Sequence, residues 1–251
     1  MSMDIIGHRG AMGYEPENTI SSFERALNLG VNGIELEVYQ CKSGELIVFH
    51  DDTLGRLTGA EGFVWDKTLT ELKELEVKHP IPDAAKAEHG KITIPTLEEV
   101  LNLVYEKSPG TFINVEIKKE GIAKEVYDAA KKHIDAVGNY DRIIISSFYN
   151  TESQRVKMRD DKIRIGALFS GVFQDYKFAR EMGASSLHAD IDAINHALVR
   201  EAHDPLKGKL KVYVWTVNEP WQMDKIVNLG ADGIFTNFPD RARDYINLRN
   251  G

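Results

Sequence analysis

Residues 33–38 read Gly-Ile-Glu-Leu-Glu-Val, an alternation of apolar and acidic side chains that predicts a β-strand. Successive side chains of a strand point to opposite faces, so Glu35 and Glu37 share one face and the three apolar residues share the other. In a parallel sheet covered by helices, the apolar face packs against the helices. We therefore expect both carboxylates to point into the interior of a closed sheet.

Short β-branched runs of this kind alternate with longer helical patterns along almost all of the 251 residues, which is typical of repeated β-α units. Together with the chain length, this alternation favours an α/β fold, a single (β/α)8 barrel of the TIM type over residues 1–251. The predicted strands are Asp4–Gly7, Gly33–Val38, Glu45–Phe49, Phe112–Ile117, Arg142–Ser147, Ile163–Phe169, Ser185–Ala189, Lys211–Thr216 and Gly233–Phe235.

These are nine strands where a barrel has eight, so one of them must be irregular. Only residues 39–44 separate the second and third strands, which is too short for a crossover helix. Within that link Lys42-Ser43-Gly44 indicates a turn. The irregularity is therefore expected at the link between the second and third strands.

Helix boundaries are marked by capping residues. Asn18-Thr19 precedes the amphipathic run Ile20–Leu29, and Gly30 ends it. Pro220 lies in the first turn of a helix that reaches Leu229. The sequences of residues 29–34 and 229–234 resemble each other, and each leads into a predicted strand. This similarity supports repeated helix-to-strand units.

The alternation of predicted strands and helices is interrupted between residues 51 and 95, which we interpret as a small insertion after the third strand. It contains a helix-like segment at Thr68–Val77 and a proline-rich connection, and regular alternation resumes where Thr96 caps a helix running through Val104. An insertion that follows a barrel strand lies on the catalytic face. We therefore expect it to form part of a substrate entrance.

The composition is that of a globular protein, with 42% hydrophobic and 28% charged residues and a net charge of -8. This charge argues against nucleic acid or an anionic membrane as a partner. The single cysteine, Cys41, excludes an internal disulfide, and no apolar stretch is long enough for stable membrane insertion. Residues 1–10 lack a signal-peptide pattern, so we expect a cytoplasmic protein.

Active sites of barrels lie where the strands end. His8 and His50 each follow a different strand, and imidazole is suited to proton transfer near neutral pH, so we predict them as an acid-base pair. Arg9 and Lys118 supply the positive charge that an anionic substrate needs. The remaining histidines are interpreted as structural: His79, His89, His133, His188, His196 and His203.

Glu116 repeats the pattern of Glu35 and Glu37 on the fourth strand, and charged groups inside a barrel need a partner. Three carboxylates without a Cys or His cluster favour one hard divalent cation, Mg²⁺ or Ca²⁺. The alternative is that they form internal salt bridges with Arg or Lys. The metal site is the preferred interpretation.

Other polar and aromatic residues at the strand ends leave alternatives open. Phe148 and Trp215 line the pocket or belong to the core. Asp51 orients His50 or turns the chain. Glu17 and Asn18 brace the site or cap a helix, and capping is the preferred interpretation for Asn18.

An ordered set of motifs over nearly the full chain resembles the glycerophosphodiester phosphodiesterase family, of the phospholipase C-like phosphodiesterase superfamily. The matching motifs are His8-Arg9-Gly10, Pro16-Glu17-Asn18-Thr19, residues 33–38, Ser43-Gly44, Val48-Phe49-His50-Asp51, residues 94–97, Val115-Glu116-Ile117-Lys118, Ser146-Ser147-Phe148, residues 215–218 and residues 233–236.

The resemblance implies a barrel with an insertion after the third strand and an enzyme of glycerol and lipid metabolism. It implies metal ligands at Glu35, Glu37 and Glu116, acid-base histidines at His8 and His50, and phosphate contacts from Arg9 and Lys118. The family commonly has Asp where this chain has Glu37, which is one methylene longer and bears on the choice between Mg²⁺ and Ca²⁺.

The expected reaction is metal-dependent hydrolysis of a small glycerophosphodiester to glycerol 3-phosphate and an alcohol. His8 is the preferred base and His50 the preferred acid. One alternative keeps the site for a lysophospholipid or sphingolipid, whose tail needs an apolar groove. The candidates for it in the insertion are Phe63, Val64, Trp65, Leu69 and Leu72, although Leu69 and Leu72 fit a helix face that packs on the barrel better. A second is a barrel that binds phosphodiesters without catalysis. The sequence leaves the oligomeric state open.

Overall fold

The computed structural model describes residues 3–78, 90–171 and 176–250. Within these ranges nine strands form one sheet that closes into a barrel of eight parallel strands with helices between them. The strands are β1 (Asp4–Gly7), β2 (Gly33–Gln40), β3 (Leu46–Val48), β4 (Phe112–Ile117), β5 (Ile143–Ser147), β6 (Arg164–Phe169), β7 (Ser186–Asp190), β8 (Lys211–Trp215) and β9 (Gly233–Thr236).

The closed ring runs β1-β2-β4-β5-β6-β7-β8-β9 and returns to β1, which pairs in parallel with both β2 and β9. The ninth strand, β3, pairs antiparallel with the end of β2 and lies outside the ring. The irregularity that was expected between the second and third predicted strands is therefore present. Because the short link permits only a hairpin, β3 cannot enter a parallel ring. The predicted TIM-type barrel is confirmed.

The described helices are α1 (Ile20–Asn28), α2 (Gly55–Thr58), α3 (Leu69–Lys73), α4 (Leu97–Lys107), α5 (Ala123–Val137), α6 (Asn150–Arg159), α7 (Tyr176–Glu181), α8 (His196–Ala202), α9 (Pro220–Leu229) and α10 (Pro239–Asn250). In this part of the chain no helix has the length and apolarity needed to cross a membrane.

The predicted caps are present at two helices. The Thr19 hydroxyl accepts from Ser22 N at the start of α1, and Thr96 forms a capping box with Glu99 at the start of α4. Asn18 does not cap α1, so the preferred interpretation of that residue was wrong. The helix-like segment at 68–77 is shorter than expected, because only Leu69–Lys73 is helical.

The main core fills the layer between the barrel and the helices. Ile34, Leu36 and Val38 are fully buried there, so the opposite face of β2 points into the barrel as the alternation predicts. The β2–β4 register sets Glu35 beside Asn114 and Glu37 beside Glu116. The fold thus brings the acidic residues of two strands together inside the barrel.

The insertion has a separate hydrophobic cluster, formed with the outer end of β2 and with β3. Leu54, Leu57, Val64 and Leu72 are buried in it. The helix α2, which begins at Gly55, is thereby held against the barrel rim. Part of the predicted insertion, including His79 and His89, lies outside the described residues.

His188 lies inside the barrel, packed against Tyr213 and Phe235, and its Nε2 is 2.9 Å from Ser186 Oγ. Burial, assisted by the charge of Arg164, lowers the pKa of His188 to about 3. The ring is therefore neutral in the folded protein at neutral pH. An unfolded histidine titrates near pH 6.5.

This difference predicts a pH-dependent loss of stability. Between about pH 6.5 and pH 3 the unfolded chain binds a proton that folded His188 does not, so the free energy of unfolding falls as the pH falls. His188→Gln removes this contribution. Between pH 7 and pH 5, we expect the variant to lose about 2 kcal/mol less stability than the unchanged protein.

Urea unfolding at both pH values measures the difference. His196→Gln is the matched control, since it makes the same replacement at an exposed histidine. The same pH dependence in His188→Gln as in the unchanged protein would contradict the prediction.

Candidate active site

A pocket with about 480 Å³ of free space opens at the carboxyl ends of the barrel strands. All nine predicted site residues line it, and so do five others. The lining residues are His8, Arg9, Glu35, Glu37, His50, Asn114, Glu116, Lys118, Ser146, Phe148, Leu168, His188, Trp215 and Phe235.

The backbone turns sharply at Arg9, directly after β1. Arg9 has a left-handed φ of 51°, which is uncommon for a residue other than glycine. Its carbonyl oxygen accepts hydrogen bonds from Asn18 N and Ser22 Oγ, at 3.1 and 2.8 Å. Its own N–H donates to Glu35 Oε2 at 2.9 Å. These contacts hold the turn and position its side chain beside the carboxylates.

The Arg9 guanidinium joins two carboxylates. Its Nε is 3.0 Å from Glu37 Oε1, and its Nη1 donates to Glu17 Oε1 at 2.8 Å. The second Glu37 oxygen accepts from Asn18 Nδ2 at 2.6 Å. Burial alone would raise the pKa of Glu37, but Arg9 and then His50 lower it to about 2. Glu17 and Asn18 therefore brace the site.

Glu35 and Glu116 are less compensated than Glu37. Burial raises the pKa of Glu35 well above its ordinary value, and the charges of Glu37 and Glu116 raise it further. Lys118 Nζ lies 3.1 Å from Glu116 Oε1. Burial still raises the pKa of Glu116 to about 7, although Lys118 opposes that shift. Positive charge thus compensates the ionised forms of these two carboxylates only in part.

Three residues in the pocket could hold a metal ion together. His8, Glu35 and Glu37 each offer one ligand atom, and these atoms lie within 4.8 Å of one another. Two of the three predicted ligands belong to this group. Glu116 is paired with Lys118, as the salt-bridge alternative expects, although it faces the same pocket.

His8 is held by Asn237, a residue that was not predicted to belong to the site. Its Nδ1 lies 2.8 Å from Asn237 Oδ1, an acceptor, so Nδ1 carries the proton and Nε2 is left for the pocket. Burial, then the charge of Arg9, lowers the pKa of His8 to about 4. The ring is therefore neutral near pH 7. Asn237 is fixed in turn, because its N–H donates to Asn218 Oδ1 at 2.9 Å.

His50 is held in the same way by its neighbour in the chain. Its Nδ1 is 2.6 Å from Asp51 Oδ1, and its Nε2 is 3.9 Å from Glu37 Oε1. Burial raises the pKa of Asp51, but hydrogen bonds from Arg56 and His50 lower it to about 2. Asp51 is thus an acceptor, and His50 Nε2 is also left for the pocket. Asp51 orients His50.

The two predicted aromatic residues form part of the pocket wall. The rings of Phe148 and Trp215 meet edge to face with centroids 5.7 Å apart. Trp215 Nε1 donates to the carbonyl oxygen of His188 at 3.1 Å, whereas Phe148 is 45% exposed. Lys118 Nζ lies 6.0 Å from the Phe148 ring centroid. Phe148 therefore lies at the mouth and Trp215 deeper.

Four polar residues were missed as site residues. Asn114, Ser146 and Asn237 lie at or near the ends of strands, so their position in the sequence was an available signal. Asn114 Nδ2 donates to Ser146 Oγ at 3.0 Å beside the carboxylates. Arg56 lies on the insertion, and no strand pattern pointed to it.

A TIM-type barrel with buried carboxylates, two cationic side chains and two imidazoles in one pocket is suited to hydrolysis of a phosphodiester, an anionic ester. Residues 8–241 match the profile of the glycerophosphoryl diester phosphodiesterase family. The chain belongs to this family. The predictions of the family and of a phosphoric diester hydrolase are confirmed.

Three relatives illustrate the match. A glycerophosphodiester phosphodiesterase of Caldanaerobacter subterraneus subsp. tengcongensis is 37% identical over 243 residues, which cover 94% of each chain. The solved structure of an Oleispira antarctica phosphodiesterase in complex with the product sn-glycerol-3-phosphate has a TM-score of 0.84. It is 27% identical, with 97% of this chain and 96% of that chain covered. A lysophospholipase D of Mus musculus is 27% identical, with 96% and 85% covered.

Asn237 offers a test of how His8 is held. Asn237→Ala removes the acceptor at Nδ1, so either nitrogen can carry the proton and the ring can rotate. We expect kcat for a glycerophosphodiester to fall by about tenfold or more. His203→Ala is the control, since His203 pairs with Asp232 near the amino ends of the strands. Full activity in Asn237→Ala would show that the hydrogen bond has no role.

Proposed function

We propose that the chain hydrolyses small glycerophosphodiesters to glycerol 3-phosphate and an alcohol, using a divalent cation and the two histidines His8 and His50. The observation that carries this proposal is that both rings face one pocket with Nδ1 held by an acceptor. Both are also close enough to Glu37 to affect its pKa. Two such rings beside one substrate can accept and donate protons in a single step.

The first step is attack by the glycerol C2 hydroxyl on phosphorus. His8 Nε2 accepts the hydroxyl proton, which fits a ring that is neutral near pH 7. The bond from phosphorus to the alcohol oxygen breaks as His50, which enters this step protonated on both ring nitrogens, donates its Nε2 proton to that oxygen. This step yields a cyclic phosphate and the free alcohol, and its two proton transfers use only His8 and His50.

The second step reverses the two roles. His50 Nε2 accepts a proton from water, the water oxygen bonds to phosphorus, and His8 returns its proton to the C2 oxygen as the ring opens. The product is glycerol 3-phosphate. Both histidines end in their initial protonation states.

Arg9 and Lys118 bind and stabilise the phosphoryl oxygens. Both line the pocket, and their side chains are already drawn toward it by Glu37 and Glu116. Fixed cations in a partly buried site stabilise charge that develops on a phosphoryl oxygen. Phe148 and Trp215 form the wall beside the alcohol or glycerol part of the substrate.

The residues present fit a hard divalent cation, Mg²⁺ or Ca²⁺. Glu35 and Glu37 would hold it, with Glu116 as the third carboxylate from the neighbouring strand and His8 close by. A bound cation would also offset the cost of ionising Glu35 and Glu116 inside the barrel. When bound, it would supply Lewis-acid stabilisation of a phosphoryl oxygen.

Single replacements test the histidine pair. We expect His8→Ala and His50→Ala each to lower kcat by about a hundredfold or more, because each removes a proton-transfer group. Circular dichroism should show an intact fold. His196→Ala, an exposed residue of α8, serves as the control with ordinary activity. Near-normal turnover by His50→Ala would refute the two-histidine scheme.

The alternative substrate is a lysophospholipid, which is favoured by the similarity to a lysophospholipase D. Such a substrate needs an apolar groove for its tail. Two of the candidate residues, Val64 and Leu72, are fully buried in the hydrophobic cluster of the insertion, so they do not line a groove at the surface. Phe63 is 41% exposed. A small glycerophosphodiester is therefore the preferred substrate.

Turnover of glycerophosphocholine and of a lysophospholipid, measured side by side, separates the two substrates. We expect glycerophosphocholine to give the higher kcat/KM. Chelation should abolish activity, and Mg²⁺ or Ca²⁺ should restore it, because the carboxylates supply oxygen ligands. Activity that persists in excess chelator would remove the cation from the proposal.

A further inference from the structure

One residue of the insertion contacts two carboxylates of the active-site region. Arg56 Nε and Nη2 donate to Asp51 Oδ2 and Oδ1 at 2.6 and 2.9 Å. Its Nη1 and Nη2 donate to Glu17 Oε2 and Oε1 at 2.8 and 2.7 Å. Each carboxylate is therefore bound through both of its oxygens, the arrangement in which a guanidinium fixes orientation as well as charge.

The two carboxylates held by Arg56 lead to different parts of the site. Asp51 accepts from His50 Nδ1 at 2.6 Å, and Glu17 accepts from Arg9 Nη1 at 2.8 Å. Glu17 is only 3% exposed, so its position is well defined. Arg56 thus joins the carboxylate that holds His50 to the carboxylate that holds Arg9, the arginine proposed to bind phosphate.

We propose that Arg56 is a positioning residue that fixes Asp51 and, through it, the orientation and tautomer of the His50 ring. This inference rests on the proposed role of His50 in proton transfer. Asp51 follows His50 directly in the chain and has 20% of its side chain exposed. Without Arg56, it is free to turn toward water and to release the ring.

The position of Arg56 separates this role from substrate binding and from core packing. Arg56 lies outside the lining of the pocket. Its side chain is 42% exposed on the four-residue helix α2, so removing it leaves the buried cluster of the insertion in place. The expected consequence of its loss is slower turnover rather than weaker substrate binding or unfolding.

The test compares Arg56→Ala and Arg56→Lys with the unchanged protein on a glycerophosphodiester. We expect Arg56→Ala to lower kcat by about ten- to a hundredfold with little change in KM. Arg56→Lys should recover only part of the loss, since an ammonium lacks the planar fork. Added guanidinium ion should raise the kcat of Arg56→Ala but not that of the unchanged protein.

Lys73→Ala is the matched control. Lys73 lies on the same insertion and forms an ion pair of 2.6 Å with Glu99, away from the pocket. It should retain ordinary kcat, and its melting temperature should show what loss of an insertion salt bridge costs. Equal kcat losses in Lys73→Ala and Arg56→Ala would reduce Arg56 to a general stabiliser of the insertion.

A double-mutant cycle identifies the route of the effect. If Arg56 acts through Asp51, Asp51→Ala combined with Arg56→Ala lowers kcat no more than Asp51→Ala alone. Independent, multiplicative losses would overturn the inference, and so would full activity in Arg56→Lys or Arg56→Ala. His50→Ala, assayed in parallel, tests the proposed function separately: if it is inactive while Arg56→Ala is normal, only the inference fails.

Discussion

The burial of three carboxylates inside the barrel is the constraint on which the rest of the site depends. Glu35, Glu37 and Glu116 are each less than a tenth exposed, and an ionised carboxylate loses much of its hydration there. Ion pairs with Arg9 and Lys118 offset part of the free-energy cost of that lost hydration. The compensation is uneven, since the pKa falls at Glu37 and rises at the other two. The backbone conformation beside these carboxylates is related to this uneven compensation of charge.

The unusual backbone after β1 is one result of this constraint. Arg9 adopts a left-handed conformation, and Asn18, another residue with positive φ at 59°, lies beside it. Both conformations cost energy for residues other than glycine. Their contacts with Glu35 and Glu37 show what stabilises them: Arg9 donates from its backbone to one carboxylate, and Asn18 donates its amide to the other. Strain in the chain is thus maintained by the buried charges.

Much of the fold and site followed from short-range patterns. The alternation at residues 33–38 predicted inward carboxylates, because side-chain direction in a strand depends only on residue parity. Strand-end positions likewise predicted that His8, His50 and Lys118 share one pocket. Arg56 could not be predicted, because its partners are set by how the insertion folds over the rim. Asn18 was interpreted as a cap because side-chain hydrogen bonding is locally ambiguous, and a carboxylate 19 residues away decided it.

The position of β3 outside the ring has a consequence for how such an enzyme can diversify. Since the insertion has a hydrophobic cluster of its own and β3 pairs with the end of β2, the eight parallel strands pair with one another without either of them. Positions of the insertion other than Asp51 and Arg56 can therefore be substituted to reshape the rim of the pocket while the pairing of the barrel strands is kept. The hairpin formed by β2 and β3 is the junction at which the insertion is attached to the ring of parallel strands.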